Sequence, residues 1–401
     1  MHPSEMLRGT ASKDLDGKRI VLGVTGSIAA IESFGLAREL VRHGAHVQAV
    51  LTPDAAKLVT PWALEFATGN PVIEVIDSRV QHVALLGDVP DHADLLLIAP
   101  CTANTISKIA SGIDDTPVTT MASTALGSNI PVMVAPAMHL TMYQNPFVAK
   151  NLKALESEGV EIVGPRVEGG KAKIAEMEEI VARVIRRIGR RDYLGKKVLV
   201  IGGASEEPID DVRVITNRST GETAVLLAKA AFRRGAEIEL WMGRSSVQVP
   251  SYITTRRFSS VDELIALSQE ASHDLIIVPA ALGDYATTKV EGKIPSGREE
   301  LVLRLRPLPK VLKALRPKAR TLIGFKAEHA AEREHLLSRA SSRLKEIPLD
   351  LIVANDLRDV LPGETKAIIL DAEGVRMEFK GSKRELADRI LDEARMLGRR
   401  A

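Results

Sequence analysis

The chain has 401 residues, 45% apolar and 26% charged, a composition of folded domains rather than disorder; at roughly 150 residues per domain its length suggests two or three. Its 54 basic and 52 acidic residues leave a net charge of +2, and aromatics are only 3%, which argues against a polyanion partner or a stacking platform for single-stranded nucleic acid. The single cysteine, Cys101, excludes an intramolecular disulfide and a cysteine-rich zinc site; with no apolar run of membrane-span length and a polar, mixed-charge Met1–Lys18, a cytoplasmic protein is expected.

In chain order, short β-branched apolar runs alternate with amphipathic stretches. Arg19–Val24 predicts a buried strand, Thr25-Gly26-Ser27 a turn, Ile28–His43 a helix ended by Gly44, and Ala45–Thr52 the next strand. Asp94–Ala99 and Ile130–Ala135 predict two more strands, and Ile174–Arg191 a helix ending in Arg186, Arg187, Arg190 and Arg191. The plan then restarts. Gly195–Gly202 mirrors Gly17–Gly23, Glu237–Trp241 mirrors His46–Leu51, and His273–Ile277 mirrors His92–Leu96. Continuous apolar strands separated by helices predict parallel sheets covered on both faces. The expected fold class is α/β, with two doubly wound, Rossmann-like domains over residues 1–192 and 193–401.

A dinucleotide site requires G-x-G-x-x-G after the first strand and an acidic residue ending the second. Neither half meets this: the second strands end in Thr52 and in Leu240-Trp241. A small Gly/Ser/Thr loop at a helix N-terminus remains, suited to one phosphate flanked by Ser27 and Thr52, as in a mononucleotide such as FMN. Ser27 also reads as a plain helix N-cap.

Further segments are His82 in VQHVALLG, APCTANT at Ala99–Thr105 and PAMHLTM at Pro136–Met142. With TGSIAA at Thr25–Ala30, this ordered set resembles the flavin-dependent cysteine decarboxylases, specifically the phosphopantothenoylcysteine decarboxylase half of the bifunctional coenzyme A biosynthetic family, archaeal type. The resemblance implies a flavodoxin-like flavoprotein domain with FMN held by Gly26, Ser27, Ile28, Thr52, Thr102, Ala103, Asn104 and Thr105. It implies His82 as the base, His139 as a second catalytic group, and Met142, Lys171 and Lys173 on the substrate. FMN would oxidise the cysteinyl thiol to a thioaldehyde, the carboxylate would leave, and the enethiolate would be protonated and reduced. Two departures stand out. His139 replaces a common Asn, and Glu168–Lys173 lacks the family's lid cysteine. Lys171, Lys173, His139 or water then become the candidate acids, and Cys101 is expected to pack inside the flavin loop.

In the second half, a polar loop spans Glu207–Gly221, Asp284 follows the apolar strand DLIIV, and Lys289, Lys293, Phe325, Arg343 and Lys345 follow in turn. From about Leu194 to Gly381 the chain resembles phosphopantothenate–cysteine ligase. The resemblance implies CTP as co-substrate with Mg2+, and an acyl-CMP intermediate opened by the amine of cysteine. Asn217 and Arg213 would serve the phosphopantothenate, Asp284 the nucleotide or Mg2+, and Lys293 the activated intermediate. Ala280, Ala281, Pro309, Lys310, Phe325, Arg343 and Lys345 would lie along the nucleotide. Glu206, Glu222 and Arg343 depart from the family pattern. The ligase product is the decarboxylase substrate, which gives the fusion a rationale. A homo-oligomer is implied, with trimeric flavin domains and dimeric ligase domains. The alternatives are a flavin prenyltransferase-like enzyme and a non-catalytic flavin-binding regulatory protein.

Overall fold

In the computed structural model, residues 2–297, 299–329, 332–359 and 364–397 are described. The chain divides into two compact units, Met1–Arg191 and Asp192–Ala401.

The first unit is built on a five-stranded parallel sheet. Its strands are β1 (Arg19–Val24), β2 (His46–Leu51), β3 (Leu95–Cys101), β4 (Val132–Pro136) and β6 (Glu161–Ile162), in the order β2-β1-β3-β4-β6. Side chains of a strand alternate between faces. Ile20, Leu22, Leu95 and Leu97 therefore enter one core beneath the helices Ser33–Arg42 and Met177–Ile188. Val21, Leu96 and Ile98 enter the other, beneath Ala103–Ala110, Pro117–Gly127 and Pro146–Ser157. Burial on both faces explains why these strands read as unbroken apolar runs rather than as alternation. The predicted helix Ile28–His43 starts as a 3-10 turn, Ile28–Glu32, before the α-helix at Ser33. A three-stranded antiparallel flap was not predicted: β5 (Met138–His139), β7 (Arg166–Glu168) and β8 (Lys171–Lys173), in the order β5-β8-β7. Strands of two or three residues are too short to carry a period.

The second unit has an eight-stranded sheet of β9 (Lys197–Gly202), β12 (Glu237–Met242), β13 (Thr254–Arg257), β14 (His273–Val278), β17 (Ala319–Glu328), β18 (Leu351–Asp356), β19 (Glu364–Asp371) and β20 (Gly374–Ser382). The order is β13-β12-β9-β14-β17-β18-β19-β20. The first six strands are parallel, and β19 and β20 add an antiparallel edge that the sequence reading lacked. The parallel part has the Rossmann strand order although the dinucleotide fingerprint is missing. Gly202 still serves as the close-approach glycine: a Cβ there would lie 2.0 Å from the Ala224 Cβ, in the helix Glu222–Arg233. Gly203 turns the chain at φ +76°. Two hairpins leave the sheet, β10 (Glu206–Pro208) with β11 (Val214–Thr216), and β15 (Tyr285–Ala286) with β16 (Arg306–Pro307). Among the described residues no helix is long and apolar enough to cross a membrane.

Candidate active sites

In open α/β sheets, ligands bind beyond the carboxyl ends of the strands, where the strand order reverses. In the first unit that point lies between β1 and β3. Thr25 joins the two loops there: its hydroxyl donates to the Pro100 carbonyl (2.9 Å) and accepts from the Thr102 amide (3.0 Å). A cleft of about 710 Å³ opens above them. Gly26, Ser27, Ile28, Thr102 and Ala103 form its floor, and the flap supplies His139, Lys171 and Lys173, with Met142 in the following turn. His139 and Lys171 are directly paired across β5 and β8, so their side chains share one face of the flap. Lys173 is tied to Glu168 at 2.9 Å, which holds that carboxyl below its ordinary range. Arg166, not singled out in the sequence, also lines the cleft and pairs with Glu176.

Thr52, Asn104, Thr105 and His82 fall outside this cleft. Thr52 is buried, its hydroxyl accepting from the Ala55 amide (3.2 Å), so it does not flank Ser27 across the opening. Thr105 is buried against the Thr102 hydroxyl at 3.2 Å, and Asn104 faces outward from the first turn of its helix. Ser27 caps the 3-10 turn weakly, accepting from Ala29 at 3.4 Å, while also lining the cleft. His82, in the helix Gln81–Leu86, is not a lining residue, and its buried Nδ1 has no hydrogen-bond partner. Its turn is set by Asp77, which accepts from the Arg79 side chain and amide and from Gln81; these bonds lower its pKa to about 2. Cys101 is fully buried, and burial drives its thiol pKa far above the ordinary value. It is a packing residue, not an acid within reach of the cleft.

In the second unit the order reverses between β9 and β14. The loops beyond β9, β12 and β14 are stitched together: Ala204 exchanges two backbone hydrogen bonds with Arg244 (2.9 and 2.8 Å), and the Ala281 amide donates to Gly203 at 2.8 Å. Two clefts flank this junction. One, of about 680 Å³, is lined by Ala280, Ala281, Asp284, Pro309, Lys310, Phe325 and Arg343. The other, about 1040 Å³, receives Ser219, Thr220, Glu222, Arg244, Ser245 and Lys383. Asn217, Arg218, Ala280, Ala281 and Phe325 border both. The Asn217 amide donates to the carbonyls of Ala281 (3.3 Å) and Leu282 (2.9 Å), which fixes it where the clefts meet.

Three candidates lie off both clefts. Lys345 is exposed elsewhere on the helix Arg333–Glu346, while Arg339, which the sequence reading missed, lines the smaller cleft with Arg343. Their i, i+4 spacing was the available signal. Arg213 is spent on Asp210 (2.6 Å) and on the Ile294 carbonyl (3.2 Å), and Lys293 is exposed on the adjoining loop. Asp284 is bound by Lys310 at 2.6 Å. Among the described residues no group of three or more His, Cys, Asp or Glu is placed to hold a metal ion.

Two doubly wound units, each with a cleft at its switch point, define a two-domain α/β protein of the kind that binds ligands beyond its strand ends. Comparison with known proteins narrows this. Residues 8–189 match the family described as Flavoprotein, and residues 193–397 the DNA/pantothenate metabolism flavoprotein C-terminal domain. The coenzyme A biosynthesis bifunctional protein CoaBC of Thermococcus kodakarensis is 44% identical, covering 98% of each chain; that of Methanocaldococcus jannaschii is 39% identical over 99% of this chain and 98% of its own. The Bacillus subtilis protein of the same name is 32% identical over 93% of both. The chain belongs to this family of coenzyme A biosynthesis bifunctional proteins.

Proposed function

We propose that the chain carries out two consecutive steps of coenzyme A biosynthesis. The second unit couples cysteine to 4'-phosphopantothenate at the expense of CTP, through an acyl-CMP intermediate. The first unit then decarboxylates the product to 4'-phosphopantetheine with FMN. The observation that carries the ligase reading is the meeting of two clefts at Asn217. A carboxylate must be activated by one substrate before an amine replaces the nucleotide, so acid and nucleotide must share a border. Asn217 stands on that border as an amide donor able to orient the attacking carboxylate. Lys310, Arg339 and Arg343 offer positive charge to the phosphates. Mg2+ commonly reaches such sites on the phosphates with one or two protein carboxylates, and Asp284 supplies one here.

The residues of the first cleft fit FMN. Gly26 leaves room where a Cβ would strike Asp54 at 2.5 Å, Ser27 and Thr102 offer hydroxyls, and Ile28, Ile31, Ala103 and Met138 give apolar walls to a flat ring. FMN supplies the two-electron oxidation that makes the carboxylate a leaving group, and the electrons return in the final reduction. His139 and Lys171 face the substrate side and hold its anionic groups; one of them, Lys173 or water replaces the lid acid. His82 acts as base from a neighbouring copy, since it lies outside the cleft of its own chain. The exposed Trp62 and Phe66, one helical turn apart, support such an assembly, with trimeric flavin domains and dimeric ligase domains in a cytoplasmic setting. One incubation with phosphopantothenate, cysteine, CTP and Mg2+, followed by mass spectrometry, tests both halves. Phosphopantetheine, CMP, pyrophosphate and CO2 are expected. Accumulated phosphopantothenoylcysteine would remove the decarboxylase reading, and absence of CMP the ligase reading.

A further inference from the structure

Among the described residues none forms a hydrogen bond with the His82 imidazole, and its Nδ1 is buried without a partner. The direction of the ring is therefore set from below, by where the helix Gln81–Leu86 starts and how its first turn is oriented. That start is unusual. Val80, just before the helix, has φ 49° and ψ 47°, the left-handed region that a β-branched residue rarely enters. Strained backbone persists only where its surroundings over-determine it. Two side chains do so here, reciprocally. The Asp77 amide donates to the Gln81 side-chain oxygen at 3.1 Å, and the Gln81 side-chain amide donates back to Asp77 Oδ1 at 3.0 Å. Inside this closed loop the Val80 amide donates to the Asp77 carbonyl at 2.9 Å. The Val80 carbonyl then starts the helix, accepting from Val83 (3.0 Å) and Ala84 (3.1 Å). No side chain caps this helix, so the brace stands in for a cap. Gln81 is only 9% exposed, and water competes little for its amide; Val80 and Val83, on either side of His82, are exposed.

We infer that Gln81 and Asp77 are positioning residues for His82: their reciprocal brace holds Val80 in the left-handed conformation and so aims the imidazole at the cleft of a neighbouring copy. The inference rests on the reading of His82 as the decarboxylase base and adds the groups that aim it. Neither residue lines any of the three clefts, so their effect reaches the substrate only through His82. Misplacing a reacting group by about 1 Å costs on the order of 100-fold in rate.

The test is the kinetics of CO2 release from phosphopantothenoylcysteine supplied directly to the full-length protein. Gln81→Leu fills the same buried site but removes both bonds of the brace. Its kcat is expected to fall about tenfold or more, with KM, flavin content and CMP release by the second unit within about twofold of wild type. Asp77→Ala breaks one of the two bonds at a side chain 41% exposed, and gives a smaller loss in the same direction should Gln81→Leu not fold. Asp77→Asn keeps an acceptor oxygen for Gln81 and retains most of kcat. Val80→Gly is the decisive variant. Glycine enters the left-handed region without a brace, so Val80→Gly added to Gln81→Leu recovers part of the lost kcat. If Gln81→Leu and Asp77→Ala keep the wild-type kcat while His82→Ala abolishes CO2 release, the brace does not aim the base and the inference is overturned. A loss that Val80→Gly does not recover, or one carried by KM rather than kcat, overturns it too. Undiminished CO2 release in His82→Ala would instead remove the base reading, and the inference with it.

Discussion

The smaller cleft makes a prediction that separates two neighbouring cations on one helix. Arg343 lines the cleft and Lys345 does not. On an α-helix, residues four apart lie about 40° from one another, and residues two apart about 200°. Arg339 and Arg343 therefore share the cleft face, while Lys345 points away. Five basic side chains (Arg218, Lys310, Lys326, Arg339 and Arg343) face two carboxylates, Asp284 and Glu346. Lys310 is committed to Asp284 at 2.6 Å, and Arg343 lends one donor to Glu346 at 3.1 Å. A hydrogen bond from a charged donor contributes roughly 1.5–3 kcal/mol. The Arg343 side chain is one-quarter exposed, so solvent brings the expectation to the low end, about tenfold in affinity. Arg339 is more exposed and should give a few-fold effect. Steady-state CMP release should thus show the KM for CTP rising in Arg343→Ala, less in Arg339→Ala, and unchanged in Lys345→Ala, with the KM for phosphopantothenate steady throughout. If Lys345→Ala matches Arg343→Ala, the placement of the nucleotide along this helix face is wrong.

Other expectations follow from single contacts. Cys101→Ala should leave CO2 release intact, and native protein should resist thiol reagents, because the thiol is buried and held protonated; loss of decarboxylation would give it a chemical role. Gly26→Ala should lower flavin retention, read from visible absorbance, while far-UV circular dichroism stays unchanged, since the added Cβ meets Asp54 at 2.5 Å and shifts the loop. Asp210 accepts four hydrogen bonds, from the amides of Val212, Arg213 and Ile294 and from the Arg213 guanidinium. Burial opposes its ionisation, but these bonds prevail and hold its pKa well below the usual carboxylate value. Its stabilisation is then complete above the unfolded pKa near ~3.9 and disappears as pH falls further. Asp210→Asn should lower Tm at neutral pH and flatten its acid limb; an unchanged acid limb would exclude Asp210 as its source.

Strand cores were legible because apolar runs buried on both faces announce themselves, and loops beyond strand ends follow directly from them. That is why Ser27, Thr102, His139, Asn217 and Asp284 could be named from the chain alone and line the clefts. Direction is harder to read than position. Asn104 sits at the right helix start and faces outward, Thr52 follows the right strand and turns inward, and Lys345 belongs to the right helix on the wrong side. Partners from distant elements were invisible: Lys383 lies 161 residues from Glu222, and no local pattern joins them.

The two units also show why repeated sequence need not mean repeated geometry. Both begin with strand, Gly-containing turn, helix and strand, which accounts for two of the mirrored stretches; the third pairs β3 with β14, the strands that lie on the other side of β1 and β9. After that shared opening they diverge. In the first unit the third strand of the sheet, β3, settles directly beside β1. In the second, β13 is placed outside β12, and only the fourth strand, β14, returns to β9. The reversal point therefore lies between a first and a third strand in one unit and between a first and a fourth in the other. The loop after β12 carries Arg244 back to the junction, where its backbone pairs with Ala204, and in the first unit the loop after β2 brings Asp54 against Gly26. The first unit lines its cleft with the flap and its facing His139 and Lys171. A cleft lined by a flap suits chemistry on one bound substrate, and two clefts sharing a border suit the joining of two.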